Sequence, residues 1–197
     1  MFNHVINEYR NVVRSVRNQI PNAVLAGGAL RDTFYGKAVK DLDFVVAPEA
    51  RGAFYPLSAE SPWLRGIWPD KEFRYIDIPD LREYMQQEPN GAGIMDVIES
   101  TDKTVNFIIV EDIPRYTHHF PDSISQMLFD GETVHTSRQW HAGHVNNRVY
   151  YKENIKPERL SRLRQKYPEQ MFMVEMAPNV FRQQEFPQPI NLEELNF

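Results

Sequence analysis

The stretch that most constrains this chain is residues 23–46, AVLAGGALRDTFYGKAVKDLDFVV. Four apolar residues, Ala23–Ala26, read as a short buried strand that runs straight into Gly27-Gly28. Two adjacent glycines let a backbone take positive φ and approach a ligand closely. A short helix follows from Ala29 to Tyr35 and is stopped by Gly36. Backbone N–H groups at such a helix start favour phosphate. Arg31, one turn in, can add charge-assisted contacts to a phosphate, and Asp32 stands where it can fix that arginine or the turn. Asp41 leads into a second strand, Leu42–Ala47, and Asp43 follows two residues later. Side chains two apart on a strand share a face. Two carboxylates aimed at one spot repel unless a cation joins them, and an all-oxygen donor set suits Mg²⁺ or Mn²⁺. A phosphate cradle beside a carboxylate pair is the working combination for metal-assisted phosphoryl transfer.

The remaining sequence sets limits. A length of 197 residues suggests one domain with an appendage. The absence of cysteine excludes a disulfide framework, a thiol nucleophile and a thiolate zinc site. No apolar run is long enough for a membrane span, and the N-terminus has no signal-peptide core, so a soluble cytoplasmic protein with no membrane partner is expected. With 22 basic and 27 acidic residues, the net charge of −5 argues against coating nucleic acid by charge alone. His135, His141 and His144 fit no ligand spacing, and the aromatic set around Trp63 and Trp68 reads as core.

Periodicity predicts an amphipathic helix over 4–20, a strand over Phe73–Ile78, a short helix over Leu81–Gln87 and a hairpin of Ile94–Glu99 with Thr104–Val110. Ser123–Phe129 reads as helical or turn-like, Glu132–His135 as a strand and Pro157–Tyr167 as a helix opened by proline. Residues 48–72 fit helix and loop alike. The expected class is α/β (α+β), a short mixed or antiparallel sheet flanked by helices. Residues 1–150 are expected to form the main domain, 151–176 a basic helix packed on it, and 177–197 an extended tail able to dock on a protein partner. Residues 151–167 carry six basic and two acidic side chains. Arg159, Arg162 and Lys166 recur at i, i+3, i+7, a face suited to triphosphate or a nucleic-acid backbone.

The order Gly-Gly, Arg-Asp, Gly, Asp-x-Asp between two apolar strands resembles the head-domain signature of the polymerase-β-like nucleotidyltransferase superfamily. It looks closest to the branch of CCA-adding enzymes and bacterial poly(A) polymerases. It is also similar to small stand-alone nucleotidyltransferase-like proteins of bacteriophages, which would place the chain in a host cytoplasm. The resemblance spans residues 23–46 and implies a nucleotidyltransferase head over 1–150. It implies transfer of a nucleoside monophosphate from an NTP, ATP foremost, to a hydroxyl of an RNA end, a protein or a small molecule. Two Mg (or Mn) ions on Asp41 and Asp43 would serve the reaction, and Gly27, Gly28, Arg31 and Asp32 would bind the nucleotide.

The superfamily usually draws a third carboxylate from a later central strand. On Thr104–Val110 that position falls on Asn106, and Asp96 on the partner strand is the substitute; Glu99, Glu111 and Asp112 sit at strand ends. The alternative is a non-catalytic nucleotide-binding or interaction module that has lost this carboxylate. FPDSISQML (120–128) resembles a sugar-contacting motif through Ser123, Ile124 and Met127. KPERLSRLRQKYP (156–168) resembles the arginine-bearing helix after the head through Pro157, Arg159 and Arg162. A CCA-adding enzyme carries neck, body and tail domains beyond its head, and the expectation here is a head without them.

Overall fold

In the computed structural model, residues 1–54, 61–77, 93–177 and 180–183 are described. Helix α1 (Asn3–Arg17) buries Val5, Tyr9, Val13 and Val16. It ends before the expected residue 20, because Pro21 drives the residue preceding it out of the α region; Ile20 is nonetheless buried. Strand β1 (Val24–Ala26) is buried throughout. After it come α2 (Gly28–Phe34) and β2 (Leu42–Val46). A 3-10 segment (Pro48–Phe54) and α3 (Pro62–Ile67) occupy the stretch that fitted helix and loop alike. Strand β3 (Phe73–Tyr75) precedes the hairpin of β4 (Ile94–Ser100) and β5 (Val105–Val110). The helix expected at Leu81–Gln87 lies outside the described residues.

These strands join β6 (Met127–Phe129) and β7 (Val134–Thr136) in one sheet of order β3-β4-β5-β2-β1-β6-β7. Within this sheet β2 and β5 pair in parallel and the other described pairs are antiparallel. The chain is therefore mixed α+β with a mostly antiparallel sheet flanked by helices. One sheet face, with Leu25, Phe44, Val46, Phe107 and Ile109, packs on Val5, Val13 and Val16 of α1 and Leu30 of α2. The other, with Val24, Ala26, Val45, Ile108 and Val110, packs on Tyr116 and Phe120. Tyr116 belongs to α4 (Ile113–His118), whose N-cap Asp112 accepts the Arg115 N–H.

Residues 123–129 divide differently from the helix or turn expected of them. Ser123–Ser125 form one 3-10 turn, and Met127–Phe129 become β6 because Leu25 and Ala26 offer a free strand edge opposite Phe129 and Leu128. Helix α5 (Arg138–Asn146) lacks an apolar period and was not anticipated. Nor was a second sheet, β10-β9-β8, made of β8 (Arg148–Lys152), β9 (Met171–Ala177) and β10 (Val180–Gln183). The division expected at residue 150 falls inside β8. Within the stretch expected to be an extended tail, the backbone of 180–183 pairs with β9; residues beyond 183 lie outside the described residues. Helix α6 (Pro157–Lys166), as expected, puts Leu160, Leu163 and the following Tyr167 against Val149, Tyr151, Phe172 and Val174.

Between α5 and β8 the chain reverses through Asn147, which takes the left-handed conformation at φ 53° and donates its N–H to Gly143 and His144 carbonyls. The reversal is so tight that a Cβ on Gly143 would lie 2.4 Å from the Arg148 carbonyl oxygen. Gly143→Ala is therefore expected to cost about 1–3 kcal/mol through forced backbone movement. Urea unfolding checks this, and an unchanged midpoint would show that the α5–β8 junction gives way freely.

Candidate active site

Strand register builds the site. β1 and β2 run antiparallel with Ala26 opposite Asp43. The Gly27-Gly28 turn thus leaves β1 at the edge where β2 begins, beside Asp41. Gly27 has φ 68° and ψ −120°, a backbone state closed to side chains. A Cβ there would also sit 3.3 Å from the Phe120 ring. The Gly27 N–H is spent on the Met127 carbonyl at 3.0 Å. The first turn of α2 has no side-chain cap, which leaves its N–H groups to other partners.

Parallel pairing sets Asp43 opposite Asn106, and Asn106 stands opposite Glu99 on β4. The three side chains share the sheet face that carries Val45 and Ile108, where they replace apolar cross-strand pairs. Asn106 Nδ2 donates to Asp43 Oδ1 at 2.8 Å. Glu99 is held by Arg74 Nη2 at 2.7 Å. Asp96 is not in this group. It lies opposite Ile109, on the face that packs against α1, and Arg51 Nη2 stands 3.7 Å from its Oδ2. The expectation that Asp96 could supply the third carboxylate fails on strand parity: Asp96 and Glu99 are three residues apart and face opposite ways.

Asp41 lies just outside β2, with Lys40 Nζ 3.3 Å from its Oδ2. Asp43 is half-buried. Burial first, then the Asp41 charge, pushes its carboxyl up to about 6. Asn106, Lys40 and Arg159 act the other way. Among the described residues, no group of three His, Cys, Asp or Glu is gathered closely enough to hold an ion by itself. A pair of carboxylates nevertheless fits Mg²⁺, which keeps several waters and binds through one or two carboxylates plus substrate phosphates.

A carboxyl whose folded pKa exceeds its unfolded value favours the fold most below the unfolded pKa, and that advantage is lost as pH rises through the folded one. For Asp43 the window runs from the usual carboxylate range to about 6. Asp43→Asn is expected to match the unmodified protein at pH 4 and to be more stable by about 1–2 kcal/mol at pH 7, allowing for partial solvation. Unfolding in EDTA at both pH values measures this; equal stability at pH 7 would show that the charge costs nothing.

Arg31 is fixed on three sides. Its Nε donates to Asp32 Oδ1 at 2.7 Å and to the Tyr167 hydroxyl at 2.9 Å, and Nη1 donates to Ser125 Oγ at 2.8 Å. Its Nη2 lies 3.6 Å from where a Gly28 Cβ would be, so it faces the turn. Asp32 does hold this arginine, as one of the two sequence readings had it. Its oxygens are consumed inside the protein: Oδ1 by Arg31 and Tyr167, Oδ2 by Lys166 Nζ at 2.5 Å. It is an anchor for α6 and not a free ligand.

Arg159 is likewise committed, with Nε and Nη2 each 2.9 Å from Oδ2 of the fully buried Asp122. Burial alone would raise the Asp122 carboxyl, but Arg159 and Arg31, with the Ser125 hydrogen bond, hold it below the usual range. Arg159 stands near enough to Asp43 to act on its charge. Arg162 is exposed. Sequence reasoning missed Asp122, Ser125 and Tyr167, whose partners lie 37, 94 and 136 residues away along the chain.

No protein-family model and no curated protein matches the chain in sequence. Among solved structures the chain is similar to the Thermotoga maritima CCA-adding enzyme complexed with tRNA, at 12% identity and a TM-score of 0.49, over 90% of this chain and 40% of that one. It is also similar to a CCA-adding enzyme with CTP, at 12% identity and TM-score 0.48, over 89% of this chain and 41% of that one. A third is the Bacillus stearothermophilus CCA-adding enzyme in complex with CTP, at 12% identity and TM-score 0.44, over 83% and 35%. The chain spans about two fifths of the length of these enzymes.

Proposed function

We propose that the chain is a nucleotidyltransferase, which moves a nucleoside monophosphate from an NTP to a hydroxyl of its acceptor. The observation that carries this reading is the β1–β2 register. It brings the positive-φ Gly27 turn to the end of β2 that carries Asp41 and Asp43, and Arg31 Nη2 lies beside Gly28 in the same turn. In the reaction the acceptor oxygen bonds to the α-phosphorus, the bond to the bridging oxygen breaks, pyrophosphate leaves and the hydroxyl proton passes to water. Gly28, lacking a side chain, lets phosphates reach the backbone, and Arg31 binds them from a geometry fixed in advance. Asp41 and Asp43 would hold Mg²⁺ (or Mn²⁺), which when bound supplies charge neutralisation at the phosphates and acidifies the attacking hydroxyl. ATP is the first nucleotide to test, and the acceptor is an RNA end, a protein side chain or a small molecule.

A second reading draws support from one contact. Asn106 is neutral and donates to Asp43, which favours a module that binds nucleotide without chemistry. Calorimetry with ATP and Mg²⁺, run beside a pyrophosphate-release assay over the four NTPs and a set of RNA acceptors, separates them. Release supports the transferase, binding without release supports the module, and neither overturns both.

A further inference from the structure

Tyr167 lies just beyond the C-terminus of α6. By periodicity Tyr167 is one more apolar residue on the buried face of that helix, and its ring is indeed fully buried. Its hydroxyl does more than fill space. It donates to Asp32 Oδ1 and accepts the Arg31 Nε–H at 2.9 Å. The Arg31 guanidinium carbon also lies 5.6 Å from the centre of the Tyr167 ring, within cation–π range. Ser125 Oγ, in the 3-10 turn before β6, takes the Nη1 side of the same guanidinium. With Nε and Nη1 bonded inside the protein, Nη2 is the nitrogen left facing Gly28.

We propose that Tyr167 is a positioning residue for the phosphate cradle: its hydroxyl and Asp32 together clamp Arg31 Nε, so that Nη2 is presented to the Gly27-Gly28 turn before any ligand arrives. This rests on the reading of that turn as a nucleotide site. The ligand chemistry is a triphosphate, recognised by a charge-assisted N–H donor whose ordering cost is met in the free protein. Residues 156–167 thereby become part of the head's binding apparatus, although no atom of Tyr167 need touch the nucleotide.

Two measurements test this on the full chain with Tyr167→Phe, which keeps the ring and removes the hydroxyl. The first needs no ligand. NMR of the arginine side chains reads solvent exchange of the Arg31 Nε–H, expected to be slow in the unmodified protein and about tenfold faster in the variant. Equal rates would overturn the clamp. The second is calorimetry with inorganic triphosphate and Mg²⁺. Tyr167→Phe is expected to bind about 5- to 10-fold more weakly, the size of one hydrogen bond. In an Arg31→Met background the same change should have no further effect, because Tyr167 acts through Arg31. A full loss that persists in that background, or no loss in either, would overturn the proposal. If the unmodified protein binds neither triphosphate nor ATP, the nucleotide reading itself fails and the proposal with it. The exchange measurement then shows separately whether the clamp exists.

Discussion

Replacing Asp41 and Asp43 together by alanine is expected to abolish Mg²⁺-dependent pyrophosphate release, a fall of at least about 10³-fold. One preorganised electrostatic contact is worth about 10²–10³ in rate, and the pair acts as one unit, so either single variant should approach the double one. The fold has little to lose. Asp41 stands outside β2, and Asp43 sits where burial and its neighbour's charge already disfavour ionisation. The double variant should therefore unfold at or above the midpoint of the unmodified protein at pH 7 without divalent ions. That pairing of lost turnover with retained stability distinguishes a chemical role from collapse. Turnover unchanged in the double variant would sink the transferase reading, whereas a variant that still binds ATP but releases nothing would agree with it.

The segment that carries this prediction was legible because its signals are local. Apolar runs mark β1 and β2, Gly27-Gly28 marks the turn, and period 2 marks the carboxylate pair. The hairpin of β4 and β5 was legible for the same reason. Asn106 was read as the position where a third carboxylate would fall, and in the parallel pairing of β2 with β5 it stands opposite Asp43. Asp96 was misjudged: parity along β4 turns Glu99, and not Asp96, toward Asn106. What could not be read is what pairs at long range. β6 reads as helix or turn until the free edge of β1 claims it. The second sheet joins Arg148–Lys152 to Met171–Ala177 across α6, and neither run alternates cleanly. Asp32 beside Arg31 looks like a local pair, and nothing near it in sequence announces Lys166 or Tyr167.

Asp122→Ala is expected to be the most destabilising single change in the region against which α6 docks, costing about 3 kcal/mol at pH 7. Asp122 is completely buried, accepts Arg159 through Nε and Nη2, and caps the following 3-10 turn through the Ser125 N–H. Removing one member of a buried ion pair leaves its partner uncompensated, which costs about 3–5 kcal/mol where the partner cannot reach water. The Arg159 side chain is 31% exposed and can turn partly outward, which sets the lower end of that range. Asp122→Asn, which keeps an acceptor for Ser125, should lose less. The pH dependence fixes the cause. A carboxyl held below its unfolded pKa stabilises the fold above that unfolded value and loses its contribution as pH falls through the folded one. For Asp122 the shift is downward, so the gap between the unmodified protein and Asp122→Ala should be widest at pH 7 and shrink on acidification below about 4. Urea unfolding at pH 7 and pH 3 measures both. A gap that does not narrow at pH 3 would mean that the loss is one of packing, and that the Asp122 carboxylate does not hold Arg159 and α6 to the site by charge.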